Sequence, residues 1–221
     1  MENRIQILHT GFVTHDVKRF ITIRPDGFDY EPGQGVELAV DEEGWRDEGR
    51  PFTPTSLPSH PVLEFTIKAY PDHEGVTERL HALRAGDRLL MSDPFGTITY
   101  QGPGTFIAGG AGVTPFLAIF RRLAEDGELE GSTLLFSNRT RADVICEKEL
   151  RHRLGDRCHL TLTEESAPGY GHQRIDADYL REKVRDFGQL FYVCGPPEMV
   201  EDVQAALQDL GADAERIVLE E

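Results

Sequence analysis

From Gly104 to Glu220, short β-branched apolar runs alternate with amphipathic stretches, and this alternation restricts the fold more than any other feature of the chain. Strands are expected at Thr105 to Ala108, Ser132 to Phe136, His159 to Thr163, Gln189 to Val193 and Arg216 to Leu219. Helices are expected near Pro115 to Asp126, Glu147 to Leu154, Ala177 to Asp186 and Pro197 to Leu210. Parallel neighbours need long crossovers, so the pattern implies a parallel sheet covered by helices.

Glycine clusters sit where such a sheet places its ligands. Gly109-Gly110-Ala111-Gly112-Val113-Thr114-Pro115 follows the first of these strands and opens the first helix. Flat backbone there lets N–H groups approach a pyrophosphate, and Pro115 suits a first helical turn. Pro115 replaces the third glycine of the usual dinucleotide fingerprint, so that fingerprint is not met, although its strand-turn-helix context is. After the second strand, Ser137-Asn138-Arg139-Thr140-Arg141 stands where an acidic residue would hold a ribose 2′-hydroxyl. A serine and two arginines suit a 2′-phosphate, which tilts the reading toward NADPH over NADH, although arginines at a surface helix start are often only solvated. Val193-Cys194-Gly195-Pro196-Pro197-Glu198-Met199 puts Cys194 at the carboxyl edge of the sheet. A thiol is small and polarizable enough to touch a nicotinamide ring, and it is equally at home as an inert strand-end residue.

Residues 1 to about 100 read differently. Arg4 to Val13, Val17 to Arg24 and Gly35 to Val40 are β-rich runs separated by turn signals, which suggests a small antiparallel barrel. In Val62 to Ala69, Leu63, Phe65 and Ile67 alternate with Glu64, Thr66 and Lys68 as in a half-buried strand. Gly75 to Leu83 is the first helix, with Thr77 near its amino end either as a cap or as a phosphate donor. Turns at Gly86-Asp87 and Asp93-Pro94-Phe95-Gly96 precede two further strands expected to complete the barrel. Gln101-Gly102-Pro103-Gly104 marks the boundary between two domains, 1–102 and 103–221. Within the first lies Arg50-Pro51-Phe52-Thr53-Pro54-Thr55-Ser56, a cation, an aromatic ring and three hydroxyls on a run that two prolines keep extended. Its guanidinium suits a phosphate, and its ring can lie against a flat cofactor.

Composition removes other readings. The 221 residues suffice for two domains. A net charge of −16 repels phosphate backbones, which argues against a nucleic-acid partner. No apolar run approaches the ~20 residues of a membrane span, and Met1-Glu2-Asn3-Arg4 lacks the blocks of an export signal, so a cytoplasmic location is expected. Cys146, Cys158 and Cys194 form no iron-sulfur or zinc pattern, and the histidines, His73 among them, are scattered, so no metal site is expected. Any redox centre is then organic.

Taken together, the heptad, the glycine turn and the Cys-Gly-Pro-Pro cluster resemble the ferredoxin-NADP reductase superfamily of flavin oxidoreductases, closest to its cytochrome b5 reductase and nitrate reductase branch. The resemblance implies an FAD-binding antiparallel β-barrel followed by an NAD(P)-binding α/β domain, and a chain that works as a monomer. By analogy Arg50 contacts the FAD pyrophosphate, Pro51 and Phe52 lie along the flavin, and Thr53 hydrogen-bonds near its N5. Ile67, Lys68 and Ala69 would line the FAD chain, and Gly75, Val76 and Thr77 would hold its phosphates. Thr114 would reach the flavin, while Gly110, Gly112, Val113, Thr114 and Pro115 hold the nicotinamide pyrophosphate. Ser137, Asn138, Arg139 and Arg141 would meet the adenosine ribose, and Cys194, Gly195, Pro196, Pro197 and Met199 the nicotinamide. Thr53, Cys194 and Glu220 are then the catalytic candidates.

Two departures stand out. Relatives commonly carry Tyr where this chain has Phe52, and many continue past the final Glu to an aromatic that shields the flavin, where this chain stops at Glu220-Glu221. Leakage of electrons to oxygen is therefore expected. The implied reaction passes a hydride from NAD(P)H to FAD and then electrons to a separate acceptor: a cytochrome, flavodoxin, ferredoxin, quinone or oxygenase component. Competing readings are a non-catalytic flavin-holding subunit and a direct dehydrogenase, the latter needing a proton-abstracting residue that the sequence does not display.

Overall fold

A computed structural model describes residues 3–70, 75–96 and 98–220. Met1, Glu2, His73 and Glu221, which entered the sequence reading, lie outside the described residues.

The first sheet is antiparallel and contains β1 (Asn3–Phe12), β2 (Val17–Ile23), β3 (Val36–Val40), β4 (Arg50–Phe52), β5 (Val62–Lys68) and β6 (Arg88–Met91). Its order is β4-β3-β6-β1-β2-β5, and it curls until its two edges nearly meet. Closure comes from the proline heptad. β4 pairs with β3, then Pro54 bridges to Phe65 and the Thr55 N–H donates to Glu64 O at 2.7 Å. Inward residues such as Ile5, Ile7, Phe20, Leu38, Leu63 and Phe65 fill the barrel, and α1 (Val76–Ala82) covers one end through Val76 and Leu80.

One alternative and one expectation fall here. Thr77 does not cap α1: the cap position is Gly75, and no side-chain hydrogen bond is made there. After the Asp93–Gly96 turn no second strand forms among the described residues; the pairing there consists of the bridge between Gly35 and Phe95 and a hydrogen bond from the Ile98 N–H to Gly33 O. The reason is tertiary. Ile98 is buried in the core of the second sheet's helices, and Tyr100 stacks on Phe106 and Tyr192 at 6.5 and 6.1 Å. The segment therefore serves as a packed connection to the second half.

The second sheet is parallel, with β7 (Gly104–Gly109), β8 (Thr133–Asn138), β9 (Cys158–Leu162), β10 (Leu190–Cys194) and β11 (Ile217–Leu219) in the order β11-β10-β7-β8-β9. On one face α2 (Thr114–Asp126) and α3 (Glu147–Leu154) bury Phe116, Phe120, Leu150 and Leu154. On the other, α4 (Ala177–Lys183) and α5 (Pro197–Asp209) bury Leu180, Val203 and Leu207. Strand order reverses between β7 and β10, which leaves a crevice at their carboxyl ends.

The two halves meet along a seam with an apolar part and an ionic part. Val17 of the barrel and Ile98 pack into the cluster around α2, and the turn at Gly33 hugs the same helix. Gly33 has φ +100°, and a Cβ there would lie 2.0 Å from Ile98 O and 3.3 Å from Ile119 Cδ1. The ionic part centres on Arg121 of α2. Its Nε and Nη2 both donate to Glu149 of α3 at 2.8 Å, while its Nη1 donates to Glu64 of β5 at 2.7 Å and to Thr55 O.

Burial works against charge on Glu149, but hydrogen bonds and charge from Arg121 and Arg153 hold its carboxyl below the ordinary 4.5. A carboxyl with a depressed folded value stabilises the fold fully above 4.5 and loses that contribution as acid protonates the folded form. The melting temperature of the wild type should therefore fall as pH drops below 4.5, and Glu149→Gln should flatten that part of the profile. An identical acid profile in the variant would show that the pair contributes nothing.

Candidate functional site

The crevice is built by two turns that interlock. At the end of β7 the chain passes through a short 3-10 turn, Gly110–Val113, and enters α2 with Pro115 in its first turn. At the end of β10, Cys194 leads through Gly195 and Pro196 into α5, with Pro197 in its first turn. Cys194 pairs with Ala108, so the turns lie side by side. A Cβ on Gly112 would fall 2.2 Å from Cys194 O, and one on Gly109 would fall 2.4 Å from Met199 Sδ and 2.9 Å from Pro196 Cδ. Backbone of the neighbouring turn leaves no room for a side chain at Gly112, whereas at Gly109 the Pro196 ring and the Met199 side chain would have to shift.

Gly110 differs, because its φ of +52° leaves a Cβ with no neighbour inside 4 Å. The backbone there faces open space. Val113, at the cap position of the 13-residue α2, contributes no side-chain hydrogen bond. An amino end of that length without a side-chain cap, reached through half-buried glycine backbone, fits a pyrophosphate. The Thr114 hydroxyl donates to Ala111 O at 2.9 Å, stiffening the turn, and the Val113 and Pro115 side chains are buried.

Cys194 is buried, and its thiol donates to Glu220 Oε2 at 3.0 Å. Burial pushes the thiol pKa far up, and the neighbouring Glu220 adds to it, so the sulfur stays protonated. Two of the three catalytic candidates are thus in direct contact, 26 residues apart in sequence. Glu220 itself is exposed and lies just beyond β11.

On the barrel side, the structure distributes the expected residues unevenly. Thr53 is 5% exposed, and among the described residues its hydroxyl makes no side-chain hydrogen bond. Phe52 is half-buried against the barrel core beside Val36. Pro51 and Arg50 are exposed, the guanidinium resting on Gly49 O at 2.7 Å and 3.6 Å from Glu48. Such a loosely held cation can turn toward a phosphate. Ile67 is in the core with its carbonyl taking a hydrogen bond from His81 Nε2, and Lys68 is paired with Asp16 at 3.0 Å. Ala69 is half-buried and donates its N–H to Asp16 O. Val76 is buried, while Gly75 and Thr77 are half-buried at the start of α1.

Around the end of β8, Ser137 is half-buried and Asn138 is buried with both amide atoms lacking a partner among the described residues. Arg139 is exposed and lies 3.7 Å from Glu164. The Arg141 backbone N–H donates to Glu165 at 2.7 Å, and its side chain is exposed. Two glutamates therefore share the corner for which the sequence offered Ser137, Asn138, Arg139 and Arg141. Sequence reading also missed Arg121, Glu64 and Glu149, since 28 and 57 positions separate the partners and no local pattern links them.

A nearly closed antiparallel sheet joined to a parallel sheet, with a glycine turn at its switch point, is an architecture suited to a two-part nucleotide-binding protein. The family model for an oxidoreductase NAD-binding domain matches residues 106–205. The reductase component of propane 2-monooxygenase from Rhodococcus jostii is 28% identical over 216 residues; the match covers 90% of this chain and 57% of that protein. NADH-cytochrome b5 reductase 1 of Kluyveromyces lactis is 30% identical over 81% of this chain and 68% of its own length. Among solved structures, the FAD/NAD-binding domain of nitric oxide dioxygenase from Vibrio cholerae has the same fold, with a TM-score of 0.87 at 23% identity over 97% of this chain and 96% of that one. The chain belongs to the ferredoxin-NADP reductase superfamily of flavin oxidoreductases.

Proposed function

We propose that this chain is an FAD-dependent NAD(P)H oxidoreductase that delivers electrons to a separate acceptor. The observation that carries this reading is the pairing of two ligand-ready surfaces across one seam. The open glycine turn leads into α2, and the same helix is hydrogen-bonded through Arg121 to Thr55, two residues beyond Thr53. FAD, when bound between them, supplies an acceptor for the hydride that leaves C4 of a reduced nicotinamide.

The protein's share of the chemistry is alignment and charge placement. Phe52 offers a ring for stacking, and the unengaged Thr53 hydroxyl is free to donate to a ring nitrogen. Arg50 supplies a mobile cation for the FAD pyrophosphate, with the start of α1 nearby in sequence to Lys68 and Ala69. The Cys194 thiol stays neutral beside the nicotinamide, and Glu220 fixes its direction. The turn at Gly110–Val113 and the start of α2 bind the nicotinamide pyrophosphate.

In the ribose corner, Arg139 and Arg141 face Glu164 and Glu165, so charge is close to balanced. NADPH should be preferred, but by less than about tenfold in kcat/KM, since exposed ion pairs carry little energy. Arg139→Ala combined with Arg141→Ala should erase that preference without lowering the NADH rate. A preference unchanged in the double variant would move the 2′-phosphate site elsewhere.

The acceptor is a protein or small molecule outside this chain: a cytochrome, flavodoxin, ferredoxin, quinone or oxygenase component. A net charge of −16 favours acceptors that are neutral or locally basic at their docking face. The working form is a monomer. Protein reconstituted with FAD should reduce ferricyanide with NADH or NADPH, and the rate should vanish when FAD is removed. A flavin-independent rate, or reduction of nicotinamide by a small alcohol, would place the chain among other oxidoreductases.

A further inference from the structure

We propose that Arg121 is the positioning residue that sets how closely the nicotinamide turn and the flavin strand approach each other. The inference rests on the reductase reading above. Arg121 lies seven residues after Thr114, about 10 Å along a continuous helix. That helix begins at the glycine turn, so the turn and the guanidinium move as one body.

Every nitrogen of the guanidinium is engaged. Nε and Nη2 form a fork on the two oxygens of Glu149, and Nη1 is shared between Glu64 Oε1 and Thr55 O. On the barrel side, the Thr55 hydroxyl also donates to Glu64 Oε1 at 2.8 Å, and its N–H donates to Glu64 O. Thr53 is joined to this block by one residue, Pro54, whose φ is fixed and which itself bridges to Phe65. The pairs extend on both sides, with Arg19 3.8 Å from Glu64 and Arg153 3.0 Å from Glu149. Five alternating charges thus run from β2 through β5 and α2 to α3.

Adhesion between the halves does not need this arrangement, because Val17 and Ile98 already bury apolar surface there. Largely desolvated ion pairs give little net stability over apolar packing of similar size, but their geometry is directional. A planar fork on a carboxylate fixes orientation as well as distance, whereas an apolar patch can slide. The side chain is 15% exposed, and burial opposes its charge less than Glu149 and Glu64 favour it, so the cation persists. Arg121 therefore carries alignment information between the two ligand surfaces.

The test compares Arg121→Met, Arg121→Lys and Glu149→Gln with the wild type, all loaded with FAD. Single-turnover hydride transfer should slow by about tenfold to a hundredfold in Arg121→Met, because near 1 Å of misplacement costs about that much. Arg121→Lys should recover part of the loss, and the nicotinamide KM and FAD stoichiometry should stay close to wild type. Without any cofactor, amide hydrogen exchange at residues 53–55 and 110–114 should quicken in Arg121→Met while the barrel interior is unchanged. If Arg121→Met fails to fold, Arg121→Lys and Glu149→Gln carry the same readouts with smaller changes. Wild-type transfer rates and unaltered exchange in the folded variants would overturn the positioning role alone. A wild type that NAD(P)H does not reduce at all would overturn the reductase reading and this role with it.

Discussion

Gly112→Ala is expected to disable the nicotinamide side of the molecule while sparing the barrel. The added methyl would lie 2.2 Å from Cys194 O, 2.4 Å from its carbonyl carbon and 2.6 Å from Gly195 N, all of them backbone atoms that cannot rotate away. The two turns must then separate, at a cost toward the top of the ~1–3 kcal/mol range for overpacking. Binding of the nicotinamide should weaken by more than about a hundredfold, since the proposed pyrophosphate contacts would depend on the backbone that moves. FAD, which the proposed reading assigns mainly to the barrel, should remain bound. Gly127→Ala provides the contrast: its φ of +74° is strained for alanine, but its Cβ meets nothing within 4 Å. That variant should lose about 1 kcal/mol of stability and no affinity for nicotinamide. Tight nicotinamide binding by Gly112→Ala would show that the interlocked turns are not the binding surface.

Cys194→Ala and Glu220→Gln are expected to act as one unit. The thiol donates to the carboxylate at 3.0 Å and is kept protonated by burial and by that neighbour. Removing either partner leaves the other without its orienting contact, which on the proposed reading lies beside the reacting carbon. Each single variant should slow hydride transfer by about tenfold to a hundredfold, and the double variant should be little worse than the slower single one, as expected for contacting residues. Melting temperatures should change little, because Glu220 is exposed and alanine fits the space of a small thiol. Strictly multiplicative losses would mean that the observed contact has no part in the reaction.

The fold was legible in this sequence wherever one local period dominated. α3 begins and ends where its pattern predicts, and β7 to β11 fall within two residues of their expected bounds. Arg50–Phe52 is an edge strand, as its prolines require. Legibility ended where the partner was remote. The run after Gly96 has strand-like residues, but Ile98 and Tyr100 are drawn into the second core, and tertiary contact overrides local preference.

Arg121 and Arg122 show the same limit at a single step of one helix. Arg122 is half exposed and pairs with Asp126 one turn on, as a surface arginine does. Its neighbour reaches across the seam to two other elements. Nothing in the adjacent letters separates them. The charge pattern at the corner after β8 was half legible for a similar reason: Arg139 and Arg141 are contiguous with β8, whereas Glu164 and Glu165 arrive from the end of β9.

The central claim is that two surfaces on either side of one seam bring a reduced nicotinamide and a flavin into contact. Anaerobic mixing of the FAD-loaded protein with one equivalent of NADPH or NADH tests it most directly, with the yellow flavin absorbance followed in time. Full bleaching within one turnover is expected, with recovery of colour when air is admitted. Flavin that stays bound and yellow after mixing, while nicotinamide remains reduced, would contradict it.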